Sequence, residues 1–287
     1  MKILFYLFCA LIMLSACGGG KGEKSNVADS LTDSLKDTIP PVPQDTEDPV
    51  MANVKVPKAA DGVFYDFINA FCLSSKYQKQ RIVFPLKLIA NGKTRLIEER
   101  NWHFSRLHYN QEVYTVFFPN NQAMSLEKDE KIKKVTVQWF DAKKGLASYY
   151  NFDKKEGQWM LTSINEHAWE EDADADFLSF YHNFASDADF RTQHLAETII
   201  YDGVDPTNDD EFEAEPVKNV KIPASQWSDD MIPVLPADKF SNIDFGQRFS
   251  SDGERMVSVE TPSSGFTCRL YFRKDGQSWQ LHKIENY

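Results

Sequence analysis

Phe64-Tyr65-Asp66-Phe67-Ile68-Asn69-Ala70-Phe71 and Phe177-Leu178-Ser179-Phe180-Tyr181-His182-Asn183-Phe184 carry one pattern twice. Phe64, Phe67 and Phe71 fall on Phe177, Phe180 and Phe184, and a spacing of i, i+3, i+7 sets three rings on one helical face. The register continues beyond the helix: Tyr77 meets Phe190, Gln80 meets Gln193, Ile82 meets Leu195, Leu86 meets Ile199, and upstream Asp61 meets Asp174. An Asp just ahead of a helix is placed to accept hydrogen bonds from the free N–H groups of its first turn. Each half is therefore expected to open with a capped amphipathic helix followed by a second short one.

The halves also close alike. Gly157-Gln158-Trp159-Met160-Leu161-Thr162-Ser163-Ile164 resembles Gly276-Gln277-Ser278-Trp279-Gln280-Leu281-His282-Lys283-Ile284, each after a turn, Lys155-Glu156 or Lys274-Asp275, and an aromatic run, Tyr149-Tyr150-Asn151-Phe152 or Leu270-Tyr271-Phe272. Turn residues between alternating apolar runs predict a terminal β-hairpin. Between the ends, the first half reads as strands at 86–90 and 95–98 around Asn91-Gly92, then at 113–118 and 135–140. The second half is Pro-rich and acidic until Arg255 to Glu260, with Trp227 standing where Trp102 stands. Helices followed by antiparallel strands give an α+β fold: two tandem cone-like domains, 60–170 and 171–287, each with N-terminal helices packed on a curved antiparallel sheet.

The N-terminus sets the compartment. Residues 1–16 read as a signal peptide: Lys2 precedes an apolar run, Ile3 to Leu14, shorter than the roughly 20 residues of a bilayer span. The run ends in Leu14-Ser15-Ala16-Cys17, which resembles the bacterial lipobox, and that resemblance implies acylation of Cys17. The alternative is an ordinary secretory signal with an incidental Cys. Acylation would anchor the chain stably without a spanning helix. Residues 17–59, with Gly18-Gly19-Gly20 and Pro40-Pro41-Val42-Pro43, are too polar to order themselves and read as a disordered tether, about 35 Å in root-mean-square reach.

Across 287 residues, 32 Lys and Arg stand against 43 Asp and Glu, a net charge of -11. That balance argues against a nucleic-acid partner, whose phosphates require clustered cations. Cleavage would remove Cys9 and acylation would occupy Cys17, leaving Cys72 and Cys268, for which an extracytoplasmic location permits a disulfide; two buried free thiols are the expectation.

The Phe-x-x-Phe-x-x-x-Phe opening, the Gly-Gln-Trp close and the lipobox resemble a family of Bacteroidetes lipoproteins carrying a domain of unknown function (DUF4348), with tandem nuclear-transport-factor-two-like (SnoaL-like) domains. The resemblance spans roughly 60–287 and implies a sheet wrapped around helices with a pocket at the mouth. Its motifs are core and turn residues, so they specify fold rather than chemistry.

No catalytic, cofactor-binding or metal residue is assigned, and no cofactor is expected. His103 and His108, flanking Arg106, read as exposed loop residues. Asp172-Ala173-Asp174-Ala175-Asp176 begins like a calcium loop but has Phe177 and Asn183 where an EF-hand needs Gly and Glu. The uncompensated acidic run from Asp202 to Glu215 reads as solvated surface. A pocket enzyme of the superfamily needs a buried carboxyl group beside an aromatic hydroxyl. Tyr65, Asp66, Glu112 and Tyr114 supply the residue types, with Asp66 expected to face solvent and Tyr114 to be ordinary core. Trp102, Tyr109, Trp139 and Tyr149 are candidates to line a groove. The expected function is a non-catalytic ligand-binding or scaffolding module, lipid-anchored in the bacterial cell envelope, at the outer membrane. Its expected partners are the membrane, through the N-terminal lipid, and an envelope protein, peptide or glycan. The alternative is a small-molecule isomerase or hydrolase using a pocket in one cone. Replacing Cys17 by Ala is expected to move the protein from the membrane to the soluble fraction on cell fractionation; persistent attachment of that variant would refute lipidation.

Overall fold

Both Phe triads become helix faces. A computed structural model describes residues 58–204, 216–249, 253–261 and 265–286. The signal, Cys17, nearly all of the tether and the acidic run 205–215 therefore lie outside the described residues. Helices α1 (Phe64–Leu73) and α2 (Ser75–Gln80) open the first half, and α3 (Ala175–Ser186) and α4 (Ala188–Gln193) the second. The capping expected at Asp61 and Asp174 is corrected: neither side chain bonds the first turn of its helix. Asp61 instead takes both nitrogens of the Arg81 guanidinium at 2.8 Å, and Asp174 takes Arg255 at 2.6 and 2.9 Å. A bidentate charge-assisted pair is stronger than a cap bond, and a buried guanidinium requires one.

Strands β1 (Ile82–Ala90), β2 (Lys93–Ile97), β3 (Tyr114–Phe118), β4 (Lys134–Asp141), β5 (Leu146–Lys155) and β6 (Gln158–Ala168) follow in the first half. The second half supplies β7 (Leu195–Val204), β8 (Pro216–Pro223), β9 (Lys239–Asp244), β10 (Glu254–Glu260), β11 (Thr267–Asp275) and β12 (Ser278–Asn286). The Asn91-Gly92 hairpin turns as read, with φ of 49° and 70° at its two central residues, the left-handed pair that a tight two-residue hairpin requires. The fold is mixed α+β.

Sheet membership crosses the midpoint of the chain. One sheet runs β2-β1-β6-β5-β4-β9 and the other β8-β7-β12-β11-β10-β3. Each half thus builds five strands of its own sheet and lends its third strand to the edge of the other. Val137 on β4 pairs with Ile243 of β9, and the matching Val257 on β10 pairs with Phe117 of β3. Where β3 and β9 meet, Thr115 and Ser241, which hold equivalent positions, bond reciprocally. Thr115 Oγ1 donates to the Ser241 carbonyl at 2.6 Å, and Ser241 Oγ donates to the Thr115 carbonyl at 3.1 Å. Asn242 Oδ1 accepts from the Phe117 N–H at 2.7 Å, and Gln247 Nε2 donates to the Phe117 carbonyl at 2.9 Å. All four polar side chains are buried, and their hydrogen bonds compensate what burial takes from them.

The lent strands serve two cores. Tyr114, Val116 and Phe118 belong to the first, whereas Phe117, between them, belongs to the second. Both cores are built around the same five aromatics. Phe64, Phe67 and Phe71 surround Phe152 at 5.4, 5.7 and 5.2 Å between ring centroids, with Trp159 at 5.0 Å from Phe64. Phe177, Phe180 and Phe184 surround Phe272 at 5.7, 5.4 and 5.1 Å, with Trp279 at 4.9 Å from Phe177. These edge-on rings fill the space between helix and sheet in each half. Cys72 is buried in the first core and Cys268 in the second, and they form no disulfide with each other.

The match of Trp227 with Trp102 extends to its neighbours. Each follows a short 3-10 turn, and each is tied to the residue that binds the last Phe of its triad. Gln78 donates to the Phe71 carbonyl at 3.0 Å and accepts from the Trp102 indole at 2.9 Å. In the second half, Arg191 donates to the Phe184 carbonyl at 3.0 Å and pairs with Asp229, which accepts from the Trp227 indole at 2.8 Å.

Thr115→Val and Ser241→Ala each delete one donor of the crossing and leave a buried carbonyl short of a partner. Each is expected to cost about 1–3 kcal/mol. A double-mutant cycle in urea unfolding is expected to give a combined loss that departs from additivity, since the two residues contact each other.

Candidate functional site

The strand crossing forms the floor of a cleft with a volume of about 610 Å3. Its floor is amide-rich: Asn242 Nδ2 donates to Gln138 Oε1 at 2.7 Å, and Gln247, which also lines the cleft, is fixed by the Phe245 N–H at 2.7 Å. One wall is the outer face of the first sheet, with Phe140, Tyr149 and His167; the Tyr149 and His167 rings meet edge-on at 4.7 Å. The opposite wall is the start of α3, with Asp172, Asp174 and Leu178. Arg255, held by Asp174, lies 4.5 Å from the ring centroid of Phe249. Arg248, at the rim, is exposed. Asp172 accepts from the Asp174 N–H at 2.8 Å through Oδ1, while Oδ2 is buried without a partner among the described residues. Burial, reinforced by the charges of Asp174 and Asp244, holds the Asp172 carboxyl group above the usual range.

A second place in the molecule is equivalent to this cleft by duplication. Ser258, Glu260, Arg269 and Tyr65 occupy the positions of Gln138, Phe140, Tyr149 and Leu178. There the Tyr65 and Tyr114 hydroxyls both donate to Glu260 Oε2, at 2.9 and 2.6 Å, and approach each other closely. Ser258 Oγ donates to Glu260 Oε1 at 2.9 Å. Burial first, and then the charge of Glu260, push the Tyr65 hydroxyl far above the normal phenol range. His108 packs against Tyr109 and Tyr114 at 4.8 Å, and neither ring nitrogen has a partner among the described residues. Full burial lowers its pKa to about 3.

The four aromatics proposed from the sequence are dispersed. Tyr149 lines the open cleft. Trp102 belongs to the first core, and Tyr109 packs against that core. Trp139, half-buried on β4, lies opposite Ser148 and Ser241 and points to the face away from Gln138 and Phe140. His108, expected on an exposed loop, is buried because the following Tyr109 and the β3 residue Tyr114 enclose it. Asp66 is exposed, as read, and so is Glu112. The carboxylate that meets Tyr65 and Tyr114 is Glu260, contributed by the other half.

The calcium-like run is occupied by internal cations: Asp174 by Arg255 and Asp176 by Lys274 at 2.7 Å. Asp202, expected on solvated surface, is buried and pairs with Lys283 at 3.0 Å. β7 places it there, parallel to β12, in register with Glu285.

This architecture is that of a nuclear-transport-factor-two-like protein. An NTF2-like protein from Bacteroides fragilis, known from its crystal structure, is 32% identical, with a TM-score of 0.69 over 79% of this chain and 96% of that one. The family model described as a domain of unknown function, DUF4348, matches residues 43–286, and the chain belongs to that family. No curated protein matches.

His108 sets a pH dependence of stability. Its folded pKa of about 3 lies below the ordinary 6.5, so the unfolded chain binds the extra proton between those values. Stability is expected to fall as pH drops below 6.5, by at most about 1.4 kcal/mol per pH unit from this residue. Urea midpoints of wild type and His108→Gln, compared from pH 7.5 to 4, are expected to show a shallower acid decline in the variant.

Proposed function

We propose that the chain is a non-catalytic ligand-binding module of the bacterial cell envelope, anchored through Cys17 and holding a small polar ligand in the open cleft. We read its two halves as tandem cones that exchange one strand. The observation that carries the binding role is a contrast: each cone interior is filled by five aromatic rings, whereas the cleft over the strand crossing is open at about 610 Å3. That volume is in the range of small-molecule sites. Internally bonded amides, an aromatic wall and one exposed guanidinium are groups that orient a glycan or peptide end without performing chemistry on it. The rival isomerase or hydrolase needs a carboxyl group and a tyrosine facing substrate. Glu260 with Tyr65 and Tyr114 forms that pairing, but the turn Asn121–Lys128 packs beside it and the hydroxyls are used internally.

The test is calorimetric titration of the Cys17→Ala protein with chitooligosaccharides and with short peptides bearing free termini. One class is expected to bind, and Tyr149→Ala combined with Arg248→Ala is expected to weaken that binding by tenfold or more. Binding indifferent to both substitutions, or turnover of a probe, would overturn the reading.

A further inference from the structure

We propose that the turn Asn121–Lys128 is a lid over the second, closed cleft, held shut by protonated Glu127 and released when that side chain ionises. The duplication supplies the geometry. In the open cleft the wall residues Gln138, Phe140 and Tyr149 face free volume; of their equivalents, Glu260 and Arg269 lie within electrostatic reach of Glu127 in the 121–128 segment, and Ser258 bonds Glu260.

The segment is lightly attached. Ala123, Met124 and Leu126 pack against the first core only half-buried, and no residue of the turn is fully buried. Its first turn is closed locally, by Asn120 Oδ1 accepting from the Gln122 and Ala123 N–H groups at 3.0 and 3.1 Å. The Tyr271 hydroxyl on β11 ties it to the sheet, donating to Asn121 Oδ1 at 2.6 Å.

Glu127 is the group that senses protons. Its Oε1 is buried without a partner among the described residues. Burial, and then the charge of Glu260, raise its pKa to about 7 from 4.5, against a smaller opposing pull from Arg269 and Lys128. The charged and titratable groups facing it are Glu260 on β10, Arg269 on β11, Tyr65 on α1 and Lys128 on the turn itself. A buried carboxyl group holding its proton is tolerated there; an ionised one beside Glu260 is better solvated with the turn open. In the open form Glu127 returns toward 4.5, so opening releases a proton. The opening equilibrium then rises with pH between about 4.5 and 7, at no more than about tenfold per pH unit, and levels off above that range.

The experiment is hydrogen exchange of the full chain, read by mass spectrometry from pH 5 to 8 and corrected for intrinsic rates. Protection of peptides covering 119–128 is expected to fall about fortyfold between pH 5 and 7, with α1 and α3 unchanged. Glu127→Gln, close in shape and without the charge, is expected to give pH-independent protection. A flat wild-type profile overturns the proposal by itself, and so does an equal fall in the Gln variant. Neither result depends on what the open cleft binds.

Discussion

The reciprocal bonding of Thr115 and Ser241 is the constraint on which the rest of the molecule depends. Two strands from different halves meet with buried polar residues, and each satisfies the other's backbone. Without β9 the edge of β4 is unpaired, and without β3 so is the edge of β10. Unpaired edges and unsatisfied buried carbonyls are expensive. The halves are thus bound by more than apolar contact: each completes a sheet and a core that its partner began.

The same crossing explains why the cleft is where it is. Side chains that fix the crossing, Asn242 and Gln247, are also its floor, so their orientation is set by strand pairing rather than by any ligand. A floor ordered in advance lowers the entropy lost on binding. By contrast, the two aromatic cores are committed to stability. Loss of one large core ring costs about 3–5 kcal/mol out of a usual total of about 5–15, which leaves little freedom to open a pocket there.

What was legible in the sequence is what local periodicity encodes. The Phe triads, the Asn91-Gly92 hairpin and the terminal hairpins each bury one face by a rule that neighbouring residues alone express. β9 was illegible because Lys-Phe-Ser-Asn-Ile-Asp carries polar residues inward, and they are satisfied by β3 and by Gln138 on β4, far away in the chain. β8 failed for another reason: it is an edge strand bounded by Pro216 and Pro223, largely exposed, with little apolar pattern to read. Asp61 and Asp174 were found as a matched pair but given a local role, because their guanidinium partners are distant and come from different elements. The cleft residues Gln138, Asn242 and Gln247 left one faint signal, polar side chains within or beside strands whose neighbours are apolar.

Duplication gave two equivalent places, and divergence treated them oppositely. In one, Gln138, Phe140 and Tyr149 face an opening; in the other, Glu260 and Arg269 lie beside Glu127 of a turn that packs on the first core. At the equivalent sheet positions the closed place carries charge, Glu260 and Arg269 where the open one has Phe140 and Tyr149, although burial makes charge costly. Apolar side chains would seal the same space at lower cost. A carboxylate bonded by two tyrosines and a serine, with a second carboxyl group set against it, exceeds what sealing requires. The surplus polarity makes the closed cleft sensitive to protons, whereas the charged pair Asp174 and Arg255 at the open one is internally matched.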